Sequence, residues 1–361
     1  MTLDEVFHHV DTLDGDPWPT IEELAASGDY SLVPPVQAAL ERYLDERNWY
    51  GRDLMAYILA GLRGTAALPL LLRAFARPLR DDRDDLCAWL ADIMQADPGD
   101  CRPTVLSFIA AEHRDLRAAG LWALGYLIQP RDIEMLQQAL SDADPQIRRA
   151  ALGSLTSLKS DMRAYQLVLS ALHDRDDETR QSAVLHLRWF ADPDAVNHLL
   201  PLRRDTALHV RSALGETIGH LLVDADHRPD ATAALLSLLV DPEPQVRAGA
   251  AHGLGNLGGP LDALQRHASD PDQHVRAAIA VALAKNAGPS LTATLRILAS
   301  DTSAAVRADL ATALGDCDWP GVQPLIAALT QDPARTVRAR ANVALTRISL
   351  RTAQPNVENS A

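Results

Sequence analysis

The chain has 361 residues, 47% of them hydrophobic and 23% charged, with a formal net charge of −14. That apolar content supports a large continuous core and excludes a disordered polyelectrolyte, while the apolar runs, broken by Arg, Asp, Gly or Pro, fall short of the roughly 18 residues of a membrane-spanning helix. The acidity is uneven, since residues 1–130 carry 11 Arg and no Lys against 21 Asp and Glu, and residues 200–361 carry 15 cations against 16 anions; the N-terminal third therefore repels phosphate backbones and suits basic surfaces.

In chain order, the opening Met1-Thr2-Leu3-Asp4-Glu5-Val6 has no basic region before an apolar stretch. This argues against a secretory signal, and a cytoplasmic location is the expectation. Residues 1–33, rich in Asp and Pro and carrying Trp18 and Pro19, do not fit the pattern that follows. They are expected to cap one edge of the core.

From about residue 34 to 350 one phrase returns at a fixed interval. It runs Asp-x-x-(Pro)-x-Val-Arg-x-x-Ala-x-x-Ala-Leu-Gly, with degenerate copies at Arg52 and Asp84, looser ones at His113–Gly125, Asp174–Leu187 and Asp205–Gly219, and clear ones at Asp142–Leu155, Asp241–Gly255, Asp270–Ala284, Asp301–Gly315 and Asp332–Leu345. Its arginines are Arg117, Arg148, Arg180, Arg211, Arg247, Arg276, Arg307 and Arg338, spaced by 31, 32, 31, 36, 29, 31 and 31 residues. An apolar segment with helical spacing precedes each phrase, as in Asp132–Leu140 or Ser290–Leu298, so each period reads as a pair of helices. Asp followed by Pro is expected to begin the second helix, with Asp as the N-cap. Val before the arginine, Ala three residues after it and Leu seven after it fall on one buried face. The closing Gly is expected to supply a left-handed C-cap. The arginine at the edge of that face is placed to pair with an Asp of its own or a neighbouring repeat, forming a ladder.

Two interruptions remain. The 36-residue step holds Asp224–Asp230, which reads as a lengthened loop and a change of curvature near residues 223–230. Residues 351–361 read as a polar, disordered tail.

This phrase resembles the HEAT repeats, in the short form known from bilin lyases. The resemblance implies an all-α fold, a right-handed α-solenoid of about ten two-helix repeats. Solenoids of this kind present their second helices along a concave face. Five residues after each arginine position the outward column reads Tyr57, Trp89, Trp122 and then, beyond Gly153, mostly aliphatic or polar residues; nine after it lie Tyr126 and Trp189. Of sixteen Phe, Trp and Tyr residues only Trp319 lies beyond Phe190. With Asp53, Asp85 and Asp92 beside them, these rings suggest an acidic-aromatic concave groove in the N-terminal half that takes a basic protein segment. The competing reading has the rings filling gaps between degenerate early repeats.

Catalytic signatures are absent from the sequence. There is no Gly-x-Ser-x-Gly elbow and no phosphate-cradling Gly-rich loop. The acidic runs Asp81–Asp85 and Asp174–Glu178 lack the ligand spacing of a calcium loop and read as capping carboxylates. Cys87, Cys101 and Cys317 have neither disulfide nor zinc spacing. His220 and His252, on neighbouring repeats, read as surface histidines, and no His-Glu pair suggests the iron site of the HEAT-repeat deoxyhypusine hydroxylases. The expectation is a non-catalytic protein-binding scaffold with no metal and no cofactor, one version being the neutralising partner of a basic toxin. The alternative is a HEAT-like enzyme or cofactor-linked protein, either a bilin lyase or a DNA glycosylase using Trp89, Trp122 and Trp189 with Asp53 or Asp85. The −10 balance of residues 1–130 weighs against the glycosylase.

Overall fold

A computed structural model describes residues 2–79, 83–190, 192, 194–221, 225–317 and 319–353. The chain forms two compact units, Met1–Val168 and Leu169–Ala361. Both are helical hairpins stacked in sequence, and the fold is an all-α solenoid.

In the first unit the hairpins are α1 (Leu3–Thr12) with α2 (Trp18–Ala26), α3 (Val33–Asp45) with α4 (Trp49–Arg63), α5 (Leu68–Ala76) with α6 (Asp84–Ala96), α7 (Pro98–Ile109) with α8 (Arg114–Leu127), and α9 (Ile133–Leu140) with α10 (Pro145–Leu155). The second helices form a row in which α2 packs on α4, α4 on α6, α6 on α8 and α8 on α10. Helices α1 and α2 are therefore paired like the hairpins that follow them. The stretch Trp49–Ala76 is apolar and long enough by composition to cross a membrane, contrary to the reading of the apolar runs. It folds instead as α4, a 3-10 turn opened by Gly64 (φ +52°) and α5, with more than half of its most apolar window buried in the protein.

Helix α11 (Met162–Ala171) spans the boundary between the units. The second unit holds α12 (Asp177–Leu187), then α13 (Ala195–Leu199) with α14 (Leu208–His220), α15 (Arg228–Leu238) with α16 (Pro244–Leu257), α17 (Leu261–Arg266) with α18 (Gln273–Lys285), α19 (Thr292–Ala299) with α20 (Ala304–Gly315), and α21 (Gln323–Leu329) with α22 (Arg335–Ala353). Here α12, α14, α16, α18, α20 and α22 pack consecutively. The core face follows the helical period: Val246, Ala250 and Leu254 on α16, and Val275, Ile279 and Leu283 on α18, are all fully buried.

Five of the arginines form a ladder in which each turns to the repeat that follows. In the second unit Arg180 grips Asp205, Arg211 grips Asp241, Arg247 grips Asp270, Arg276 grips Asp301 and Arg307 grips Asp332, every pair through Nε and Nη2 at 2.6–3.0 Å. The Nη1 of the same arginine donates to backbone carbonyls of its own turn, as Arg276 does to Asp270 (2.8 Å) and Pro271 (3.2 Å). Arg148 and Arg338 make the same inward bonds, to Asp142 and Ala143 and to Asp332 and Pro333. Arg117 is looser, 3.7 Å from Asp142.

Four expectations need correction. The ladder aspartate is not the N-cap. Asp301 accepts from the amide of Ser303 two residues on (2.8 Å), and the cap is the residue holding that amide, Ser303 here and Asp272 or Asp144 elsewhere. An aspartate inside the helix proper could not reach the arginine of the preceding repeat and close an Asx turn together. Nor do the closing glycines supply left-handed caps: Gly315 is the last helical residue of α20, ahead of its cap Asp316, while Gly219 and Gly255 lie within α14 and α16, where added Cβ atoms would stand 2.5 Å from Gly253 Cα and Ala282 Cβ of the next second helix. They allow helix contact, and the left-handed cap of α16 falls later, on Gly258. The lengthened step contains a turn at residues 225–227, while residues 228–230 already belong to α15, and residues 222–224 lie outside the described residues. Finally, α22 runs through Ala353, so residues 351–353 of the expected tail are helical, and residues 354–361 lie outside the described residues.

Candidate functional site

The row of second helices in the first unit carries a groove of about 550 Å³ between α2, α4 and α6. Gly61 of α4 lies so close to α2 that a Cβ there would stand 2.6 Å from the Ala25 Cβ, and the floor is accordingly small: Ala25, Ala26, Ala60, Gly61, Gly64 and Ala96, with Ile93. Tyr57 and Trp89, both half-buried, stand over it. Their rings meet edge to face at 5.5 Å, and Trp18 of α2 meets Tyr57 from the other side at 5.6 Å and 87°. Such edge-to-face contacts pin the rings and present apolar faces at low entropic cost. Glu22 and Asp92 are exposed carboxylates on the lining, and among the described residues neither is paired.

The predicted site residues divide among several places. Tyr57, Trp89 and Asp92 share this groove. Asp85 is exposed in the first turn of α6, outside the lining, where its charge favours the helix N-terminus. Asp53 is not a surface residue: it is 4% exposed and accepts from Arg52 Nε at 2.7 Å, because α4 is enclosed along nearly all of residues 51–59. Trp122 is half-buried and stacks on Phe75 at 4.2 Å, joining α8 to α5. Tyr126, 42% exposed, leans edge-on against Trp122 at 5.2 Å, and burial followed by the nearby Cys87 raises its phenol above the usual range. Trp189, 52% exposed, belongs to the second unit, where the Arg188 guanidinium lies 5.0 Å from its ring centroid. Trp122 thus fills a contact between α8 and α5, whereas Tyr57 and Trp89 line the concavity between α2, α4 and α6.

Sequence reasoning missed Trp18 and Glu22, having set residues 1–33 apart as a cap. The overlooked signal is Asp16-Pro17, which opens α2 with the same aspartate-to-amide turn (Trp18 N to Asp16 Oδ1, 3.1 Å) that precedes the later second helices.

A second groove, of about 650 Å³, lies on the second unit, lined by Glu216, His252, Val281 and Asp309 with Asp272 and His274. Burial pushes the His252 imidazole below its usual range against the opposite pull of Glu216 and Asp309. Among the described residues no group of three or more His, Cys, Asp and Glu is placed to hold a metal ion. Cys101 is buried and its thiol is pushed up to about 11 by burial, with Asp100 and Asp97 adding to the shift. It is a poor nucleophile near neutral pH.

Residues 133–219, 208–284 and 232–315 match the family described as HEAT repeats, together just over half of the chain. Among solved structures, YibA of E. coli is similar at 15% identity and a TM-score of 0.50, over 74% of this chain and 97% of YibA. The karyopherin Kap121p bound to Ste12p is similar at 16% identity and a TM-score of 0.51, over 87% of this chain but 41% of Kap121p. The CpcE–CpcF complex of phycocyanin lyase from Nostoc sp. PCC7120 aligns at 26% identity over 43% of this chain and 99% of that one, with a TM-score of 0.37. Among curated proteins none matches.

Proposed function

Because this chain belongs to the HEAT-repeat family, we propose that it is a non-catalytic scaffold whose first unit holds a basic segment of a protein partner in the groove between α2, α4 and α6. The observation that carries this reading is the pairing of fixed aromatic faces, Tyr57 and Trp89, with the unpaired carboxylates Glu22 and Asp92 around a floor of small residues. A lysine or arginine stem fits along the rings while its charged head reaches a carboxylate. The −10 balance of residues 1–130 draws such a segment in and weighs against a nucleic-acid partner. Kap121p, solved with Ste12p bound, is a protein of similar fold that carries a protein ligand.

The test is fluorescence titration of the full chain with a labelled Arg/Lys-rich peptide at low and at physiological salt. Glu22→Lys with Asp92→Lys is expected to weaken binding at least tenfold, and Asp309→Lys in the second unit to leave it unchanged. Equal binding of a neutral control peptide, or indifference to the double reversal, would refute the reading.

A further inference from the structure

The first unit carries another concavity, of about 600 Å³, where the C-terminal ends of α3 and α5 meet the first turn of α8. Leu44, Leu79 and Leu116 give it an apolar floor, and Arg47, Arg73 and Arg77 line it with them. Residues 1–130 hold 11 Arg against 21 Asp and Glu, so a gathering of three arginines runs against the charge of the whole region. None of the three belongs to the ladder. The concavity shares no lining residue with the groove between α2, α4 and α6.

Only one of these cations is compensated. Arg77 donates through Nη2 to Asp45 at 2.6 Å and through Nη1 to Glu41 at 3.4 Å. Asp115, the other carboxylate of the lining, lies 3.5 Å from Arg114 outside it. Arg47 and Arg73 are exposed, and among the described residues neither makes an ion pair or a side-chain hydrogen bond. Arg73 and Arg77 stand four residues apart at the end of α5, a spacing at which like charges repel. Arg47 carries a further cost in its backbone. It lies one residue past the cap of α3 with φ +56°, in the left-handed region that glycine adopts freely, as Gly258 does after α16. Arg83 has a similar φ of +60°, but its side chain is engaged: Nη1 donates to the Phe75 carbonyl at 2.7 Å, and the guanidinium lies 4.4 Å from the Phe75 ring centroid. Arg47 makes no such contact among the described residues. Folding alone therefore favours glycine at position 47 over the arginine found there.

We propose that this concavity binds an acidic segment of a partner protein, one in which an Asp or Glu stands beside aliphatic residues. The carboxylate takes the uncompensated guanidinium groups of Arg47 and Arg73, whose planar forks match its two oxygens. The aliphatic neighbours cover Leu44, Leu79 and Leu116. The balance of the lining sets the size of the charge: three arginines face two carboxylates, within a region of net charge −10, so a lone carboxylate is drawn in and a polyanion such as a nucleic acid is repelled. Salt weakens the ionic part of the contact and leaves the apolar part. The inference stands independently of the basic segment assigned to the other groove.

The experiment is fluorescence anisotropy of the full chain with a short labelled peptide in which Glu is flanked by Leu, beside the same peptide with Gln for Glu and an oligo-Asp peptide without Leu, at low and at physiological salt. The Glu-Leu peptide is expected to bind at both salt levels, with the Gln-Leu and oligo-Asp peptides about tenfold weaker or more. Arg47→Gly separates binding from folding: it should weaken the Glu-Leu peptide about tenfold while thermal unfolding stays at the same temperature or moves higher, because the left-handed backbone is relieved. Arg73→Gln, which replaces an exposed and unpaired side chain, should weaken binding to a similar degree, and it carries the test by itself if Arg47→Gly lowers the unfolding temperature. Calorimetry with inorganic phosphate alone tests for a site that takes any small anion. Equal binding of the Gln-Leu or oligo-Asp peptide, binding that Arg73→Gln leaves unchanged, or phosphate held as tightly as the Glu-Leu peptide overturns the proposal.

Discussion

Removing one rung of the ladder has a cost that the geometry makes calculable. Asp301 takes Arg276 Nε at 2.7 Å and Nη2 at 2.9 Å, and also the Ser303 amide at 2.8 Å, with side chains 9% and 15% exposed. Asp301→Ala deletes all three bonds and leaves a guanidinium edge facing an apolar methyl. A charge-assisted bond in such a place is worth about 1.5 kcal/mol and a neutral one about 1 kcal/mol. The solvent edge of the rung reduces the ionic part toward the ~1 kcal/mol of exposed pairs, so the expected loss is about 2–3 kcal/mol. Asp301→Asn keeps the Ser303 acceptor and one bond to the fork, and should cost about 1 kcal/mol.

The assay is native-state hydrogen exchange on α19 and α20 together with urea unfolding, because stacked repeats open locally before they unfold as a whole. Asp301→Ala should speed exchange in those two helices and in α18 while amides of α1–α4 stay protected as before. Should Asp301→Asn prove as damaging as Asp301→Ala, the turn and the single remaining bond contribute nothing. The energy would then reside in net charge alone, and the bond-by-bond reasoning would be wrong.

Acid should strike the same ladder. Burial alone would raise Asp205, Asp241 and Asp270, but the arginine bonds outweigh it and hold them below the usual carboxylate range, and for Asp301 and Asp332 the arginine bond is itself the leading cause. Their contribution is complete above the unfolded aspartate value of about 3.9 and is lost as pH falls through the depressed folded values, so urea midpoints should drop steeply only below about pH 4. His186 acts at higher pH: burial, then Arg188, pushes its imidazole down to about 4. The folded state favours the neutral ring, and stability should decline from about pH 6.5 down to 4; as the residue is only half-buried by exposure, about 1–2 kcal/mol is expected rather than the full shift, and His186→Gln should flatten that part of the profile. Gly253→Ala would drive a methyl onto the Gly215 carbonyl oxygen, where α16 meets α14, and should cost about 2 kcal/mol or more in thermal unfolding. Trp122→Ala, which strips the ring stacked on Phe75, should lower stability by about 2–3 kcal/mol.

The repeat was legible because its determinants are local and recur: an Asp, an Arg six residues on, and apolar residues at helical spacing. The direction of each rung was not, since Arg276 could be assigned equally to Asp270 of its own repeat or Asp301 of the next until the carbonyl bonds fixed its Nη1 inward. Glycine misled for a related reason. Gly219 and Gly255 sit where a C-cap is expected, but the reason for the missing side chain is a neighbouring helix far away in sequence. The candidate groove was half legible. Tyr57 and Trp89 stood out by their column, whereas Asp53 occupies a column position that enclosure of α4 turns inward, and Trp18 and Glu22 come from a hairpin whose phrase lacks its arginine. A column position predicts exposure only where the neighbouring helices leave that side open.

The helical period divides the work of each second helix among separate faces. On α18, Val275, Ile279 and Leu283 face the core, Arg276 stands at the turn edge, and Val281 lines a groove. A hundred degrees per residue keeps these sets from sharing a side. Binding and stability should therefore vary independently. Glu22→Lys with Asp92→Lys replaces two exposed, unpaired carboxylates, so its effect on unfolding should stay within about 0.5 kcal/mol while peptide binding falls at least tenfold. Asp301→Ala should do the reverse, loosening α19 and α20 without changing the peptide affinity of the first unit. The two variants measured side by side, in binding and in hydrogen exchange, decide the point: if either moves both quantities together, groove and ladder are coupled through the helices, and the separation of faces argued from the period does not hold.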